Sequence, residues 1–279
     1  MKVVGSQALP SARGRTLFLP KVGVHTLLQC ASLMVCVWLW HILTTFHVNL
    51  GIINFANVPA PSEVAQAAGK LLESAKLRRH LSASLTRVGF GFGAAALAGT
   101  LLGLAIGRWR WARDGFLPAL EVLRPIPAVA WIPLAILMFP SSEGSMIFIT
   151  FIGAVYPILL NTIHGAETVE PRLVAAARSL GTPPLRLFWE VILPAAAPSI
   201  ATGLSIGMGT CWFCLITAEM MAGQYGIGYY TWESYTVQNY PDIIVGMLLI
   251  GGLGMASTVL VRKLMQSLMP WHRPQRGAR

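Results

Sequence analysis

The sequence is short of charge. Only 11% of its 279 residues are Asp, Glu, Lys or Arg, against 54% hydrophobic, where a soluble domain carries about 25% charged residues. Acids are the scarcer sign, 11 against 21 Lys and Arg, for a formal net charge of +10. Together with long apolar runs, this excludes an ordinary soluble domain and points to an integral membrane protein. Nucleic-acid binding is excluded too, because the bases cluster beside apolar spans instead of interleaving with aromatics on a polar face. Cysteine is sparse: Cys30 and Cys36 lie in the first apolar run, and Cys211 and Cys214 form "CWFC" inside another. A redox-active C-x-x-C needs a thiolate in a polar, partly exposed site. Here the neighbours are Trp, Phe, Leu and Ile, so these read as buried, inert thiols.

Catalytic motifs are also missing. There is no G-x-x-x-x-G-K-[ST], no H-E-x-x-H and no G-x-S-x-G. His25, His41, His47, His80, His164 and His272 are scattered, without metal-ligand spacing. The expectation is a non-catalytic membrane protein whose own chain holds no cofactor and no metal.

What is present is a series of spans. A membrane helix needs about 20 predominantly apolar residues. That length predicts spans at 23–45, 86–107, 116–139, 144–164, 194–218 and 241–265: an all-α polytopic bundle of about six spans. The first is too long for a signal-peptide core and reads as a retained anchor. The segments 1–22, 108–115, 165–193 and 266–279, with Arg262 and Lys263 at the inner end of the last span, carry fifteen of the 21 Lys and Arg residues. The positive-inside rule therefore places both termini in the cytoplasm. The outer loop, 46–85, contains "PAPSEVAQAAGKLLESAKL". Ser62 offers an N-cap there, and Val64, Ala67, Leu71 and Ala75 share one face of an amphipathic helix. That helix either lies at the interface or docks to an outside partner. The core of the bundle is 86–265.

Within the spans, Gly99, Gly103 and Gly107 recur every four residues, a stripe that lets helix backbones approach closely in lipid. The third span holds "LEVLRPIPAVAWIPL". Its prolines remove helical hydrogen bonds, and Glu121 and Arg124 are spaced to pair on one face. Arg124, Pro125 and Pro127 thus read either as a neutralised pair with tolerated prolines or as a bend beside a transport pathway. Glu219, near the outer end of the fifth span, is either solvated or braces an outer gate.

Between the fourth and fifth spans lies "VEPRLVAAARSLGTPPLRLFWEVILPAAAPSI", 169–200. Pro171 suits a first helical position and Gly181 the residue after a helix end. Leu173, Ala176, Ala177 and Leu180 make one small apolar face. Thr182 is placed to cap a second helix from Pro183, whose stripe is Leu185, Phe188, Val191 and Ile192. Pro194 marks the start of the fifth span.

This segment resembles the cytoplasmic signature of binding-protein-dependent ABC importer permeases: E-A-A, three residues, Gly, nine residues, I-x-L-P. Ala175, Ala176 and Ala177 precede Gly181 by three residues, and Val191, Ile192, Leu193 and Pro194 follow after nine. Ala175 stands where the family has Glu, and Val191 where it has Ile. The resemblance covers about 57–265, including "FLPALEVLRPIPAVAWIPLAI" and "YPILLNTIHG". It is greatest to the branch importing nitrate, bicarbonate, taurine and alkanesulfonates. It implies a type I importer fold in a bacterial inner membrane and a second permease subunit, most simply a homodimer. It also implies an extracytoplasmic substrate-binding protein and a separate subunit that uses ATP. The 165–193 segment, with Ala175–Ala177, Gly181, Thr182, Leu185, Phe188 and Pro194, would couple that ATPase to the spans. Two other classes fit less well. A secondary transporter would show inverted repeats and mid-membrane acids, and a thiol redox protein would depend on Cys211 and Cys214.

Overall fold

The structure, a computed structural model, describes residues 22–49, 51, 55 and 57–271, with side chains from Leu27 onward. The tail 1–21 and residues 272–279 lie outside the described residues, so the basic residues expected there carry no structural statement. No β-strand occurs among the described residues. The chain divides into two units, one ending at Pro61 and one beginning at Ser62.

In the first unit, α1 (Val22–Thr45) matches the expected first span. Leu33, Met34, Val37 and Trp38 stand exposed on it, and the Trp40 indole N–H donates to the Pro59 carbonyl at 3.1 Å.

The second unit starts with α2 (Pro61–Glu73), which buries Val64 and Leu71. The helix begins one residue before Ser62, so Ser62 sits in its first turn and is not the cap. Ala75 opens the next helix instead of extending this one. Ser74 makes the break: its hydroxyl accepts the Lys76 N–H at 3.1 Å and caps α3 (Ala75–Arg108). α3 is thus eleven residues longer at its start than the span expected from 86. Its first turns are polar but buried at His80, Ser84 and Arg87, which hydropathy alone does not register.

α3 runs parallel to α6 (Ser142–Glu167) in constant register. A Cβ on Gly91, Gly99, Gly103 or Gly107 would meet Thr150, Ile158, Thr162 or Ala166, each at about 3 Å or less. The stripe expected at Gly99, Gly103 and Gly107 is therefore the groove that receives α6. On its other side α6 meets α9 (Leu193–Ala222), which runs antiparallel. Cys214 fills the space over Gly153 near one end, and Ala196 and Ser199 face Gly165 near the other. Cys211 and Cys214 are buried free thiols packed in this core. α10 (Ile227–Thr236), unforeseen in the sequence, and α11 (Tyr240–Leu268) pack on α9. The Trp212 indole N–H donates to Ser257 across α9 and α11 at 2.8 Å.

The third span is not straight. α4 (Arg110–Leu123) packs Leu117 and Leu120 against Ile106, Leu159 and Ile163. A 3₁₀ turn, Ala128–Trp131, then leads into α5 (Ile132–Met138), which joins the core around Met146 and Ile149. The two segments meet at 87°. Pro125 and Pro127 mark the bend: neither has an amide donor to continue the helical ladder, and although Arg124 still holds helical dihedrals, Pro127 is extended at ψ 137°. Among the described residues, five helices are long and apolar enough to cross a membrane, six if this bent pair counts as one span.

Candidate functional site

Two places in the second unit gather the chemistry-bearing residues, one at each end of the α3–α6–α9 bundle. At one end, α6 finishes at Glu167 and an elbow returns the chain to α9. α7 (Pro171–Ser179) buries none of its residues. It ends as glycine at this position dictates: Gly181 has φ +77°, a conformation costly for residues with a Cβ. Its N–H donates to the Arg178 carbonyl at 2.9 Å, and the Thr182 N–H to Ala177 at 3.2 Å. This pair of bonds is the Schellman motif. A short helix, α8 (Pro184–Leu187), continues as a π turn, Phe188–Ile192, into α9. Pro183, not Thr182, occupies the cap position, and no side chain caps the helix. The two prolines that follow Thr182 already preset an extended entry and a helical first turn. The π turn answers Pro194: the Leu193 N–H reaches back to Phe188, in the turn before a residue that has no amide donor.

The elbow attaches to the bundle through few side chains. Leu187 and Ile192 are buried, and Phe188 stacks on Trp109 at 6.2 Å between centroids. Arg113 pairs with Glu167 at 2.8 Å beside it. Ala175 and Ala176 are exposed and Ala177 partly so. Leu180 is 86% exposed and Leu185 72%, so the stripe expected from Leu185 to Ile192 is buried only toward its Ile192 end.

At the opposite end Glu219 is 0% exposed. The solvated reading is overturned: the carboxylate is enclosed in a clamp. Its Oε1 accepts from Arg87 Nη1 at 2.8 Å and from the Ser84 hydroxyl at 2.7 Å, and its Oε2 from the Gly228 N–H at 2.9 Å. Arg87, 1% exposed, also donates to the Tyr225 carbonyl at 2.7 Å and through Nε to Glu143 at 2.8 Å. Its Nη2 makes the second bond of a bidentate pair with Glu143. Ser84 accepts the Ile227 N–H, and His80 Nδ1 accepts the Gly226 N–H. Gly226 has φ +128°, and a Cβ there would strike the Glu219 carboxylate. One guanidinium thus joins α3, α6, α9 and the loop before α10. Such a pair is desolvated on both sides and depends on its complete set of hydrogen bonds.

Arg87 was missed because it counts as one more outer base. The available signal is that His80, Ser84 and Arg87 continue the face of Gly91, Ala95 and Gly99 at helical spacing. Arg124 is also placed differently from the pairing expectation. It is exposed at the bend, as are Pro125 and Pro127, and no ion pair links it to Glu121 among the described residues. It does not meet Glu219. No cluster of three or more His, Cys, Asp or Glu among the described residues is arranged to hold a metal ion.

The family described as "Binding-protein-dependent transport system inner membrane component" matches residues 95–270, a stretch that contains the elbow. The chain belongs to this family. It is 36% identical over 209 residues to the nitrate import permease protein NrtB of Synechocystis sp., covering 72% of this chain and 76% of that one. Over 250 residues it is 31% identical to the taurine transport system permease protein TauC of Escherichia coli, covering 88% and 90%. The bicarbonate transport system permease protein CmpB of Synechococcus elongatus is 38% identical over 174 residues, 62% and 63% of the two chains. The permease family gives the elbow its context: these are transport components, and the described residues of this one form a multi-pass helical bundle.

Proposed function

We propose that the chain is the permease subunit of an ATP-driven importer for a small anion such as nitrate, bicarbonate, taurine or an alkanesulfonate. Two copies form the pathway in a bacterial inner membrane, with both termini cytoplasmic. An extracytoplasmic binding protein delivers the anion, and a separate subunit binds and hydrolyses ATP; this chain holds neither nucleotide nor metal. The observation that carries the reading is the elbow: a nine-residue helix with no buried residue, closed by Gly181 and fixed to α9 through a π turn. A helix that buries nothing in its own chain is stabilised by packing against another. Its small face at Ala176 and Ala177 leaves room for a groove on the ATPase. Closure of two ATPase subunits would move the elbow, and Leu187, Phe188 and Ile192 would pass that movement to α9 and Trp109. The bend at Arg124–Pro127 would then line the pathway, since an exposed guanidinium in a membrane helix faces water or protein, not lipid. The clamp around Glu219 would hold the far end as one body while the elbow end moves.

The test is reconstitution. Vesicles holding the permease, its ATPase and its binding protein should take up at least one of these anions, with ATP consumed. Uptake confined to neutral or cationic solutes would overturn the cargo, and uptake by this chain without any ATPase would overturn the importer class.

A further inference from the structure

The clamp has a second side. The loop from Gln224 to Gly226 that closes over Arg87 and Glu219 also walls a cavity of about 420 Å³. Lys76, Arg79 and His80 line it from α3, and Gln224, Tyr225 and Tyr229 from the loop and α10. Arg79 lies over the Tyr225 ring at 5.3 Å. His80, only 7% exposed, sits among Tyr225, Tyr229 and Tyr230 at 5.7–6.2 Å. Because its Nδ1 accepts the Gly226 N–H at 3.1 Å, the neutral ring carries its proton on Nε2. That donor has no acceptor among the described residues. The cavity therefore combines two cations, a fixed imidazole donor, a side-chain amide and phenol groups. The opposing charge is Glu233, which also lines it.

We infer that this cavity binds a small oxyanion at the far mouth of the permease. Convergent donors around a half-closed pocket suit a nitrate or sulfonate group, which offers only acceptors, or a bicarbonate, which offers two acceptor oxygens beside its single O–H. Arg79 and Lys76 supply the charge, and His80 sets the position. Since Tyr225 and Gly226 bond to Arg87 and His80 respectively, an anion held here touches the same loop that closes the clamp. The inference deepens the proposed cargo and rests on it for the choice of probes.

The test uses the purified full-length chain in lipid nanodiscs, without ATP or partner proteins. Nitrate, bicarbonate and taurine are each titrated against an equal concentration of chloride, and thermal unfolding is followed. At least one probe is expected to raise the melting temperature saturably. Arg79→Gln should weaken the apparent Kd about tenfold or more, the loss of one charge-assisted hydrogen-bond donor. Glu233→Gln, which removes the opposing charge, should tighten nitrate or bicarbonate. No saturable shift from any probe would overturn the site, as would a shift that both variants leave unchanged. Uptake by the complete assembly separates the two claims. Anion uptake without binding to this chain removes the cavity alone. Binding without anion uptake keeps the cavity and removes the cargo.

Discussion

The two ends of the bundle are built by opposite rules. At the far end, charge is hidden: Arg87 and Glu219 are almost wholly buried, and the three guanidinium nitrogens and both carboxylate oxygens are all hydrogen-bonded. At the elbow, apolar surface is exposed: Leu173, Leu180 and Leu185 project from helices that bury little of themselves. A buried ion network costs much to break and fixes one geometry. An exposed apolar helix costs the isolated chain little to alter and gains its meaning from a partner. The contrast predicts where mutations act on folding and where they act on coupling.

The largest effect on folding belongs to the clamp. Arg87→Ala leaves the Glu219 carboxylate buried with only Ser84 and Gly228 as donors, at a cost of about 3–5 kcal/mol for an uncompensated buried charge. Thermal unfolding in detergent should show a large loss, and the double variant Arg87→Met/Glu219→Leu should recover much of it. A single variant as stable as the parent would show that the network is not what holds this end together.

Next come Gly181 and Gly226, one positive-φ glycine at each end of the bundle, which compare the ends directly. At Gly226 a Cβ would be strained and would also collide with the Glu219 carboxylate; at Gly181 it would be strained but would meet nothing within 4 Å. Backbone strain of this kind costs about 1–3 kcal/mol. Gly226→Ala should therefore exceed Gly181→Val in lost stability, despite the smaller side chain. Gly181→Val should insert normally yet lose its ATPase on co-purification, or keep one no longer stimulated by loaded binding protein. Equal stability losses at the two glycines would erase the distinction.

The same contrast explains what the sequence made legible. The elbow is local: its glycine, prolines and apolar positions lie within 169–200, and spacing alone defines helix, stop and restart. The spans show through hydropathy, and Gly99, Gly103 and Gly107 announce a close helix contact without naming α6 as the partner. The clamp is not local. Arg87, Glu143, Glu219 and Tyr225 are dispersed over 138 residues, and a charge count reads two of them as ordinary flanking residues. The bend is intermediate. Three prolines declare a disturbed helix, but the 87° angle and the loss of the Glu121–Arg124 pair follow from how α4 and α5 find separate places in the core. α10 escaped notice because "IGYYTWESYT" is neither apolar enough for a span nor regular enough for an amphipathic surface helix.

The smallest effect on the fold should come from Leu180, and it is the most informative about the elbow. The side chain is 86% exposed at the end of α7, just before Gly181. Replacing it with Gln keeps its length and helix compatibility, and a surface change of this kind stays within about 0.5 kcal/mol. If α7 docks in a groove of the ATPase, however, this leucine is among the few apolar groups the elbow offers. A buried leucine side chain contributes about 1.5–3 kcal/mol relative to exposure, so its loss from such an interface should weaken association roughly ten- to hundred-fold. Leu180→Gln should melt with the parent protein while its complex with the ATPase falls apart on dilution. A matching change at an exposed leucine far from the elbow and outside the spans, Leu72→Gln on α2, should leave association with the ATPase unchanged. If Leu180→Gln bound its ATPase at parental affinity, α7 would not be the docking helix, and its exposed face would need another partner.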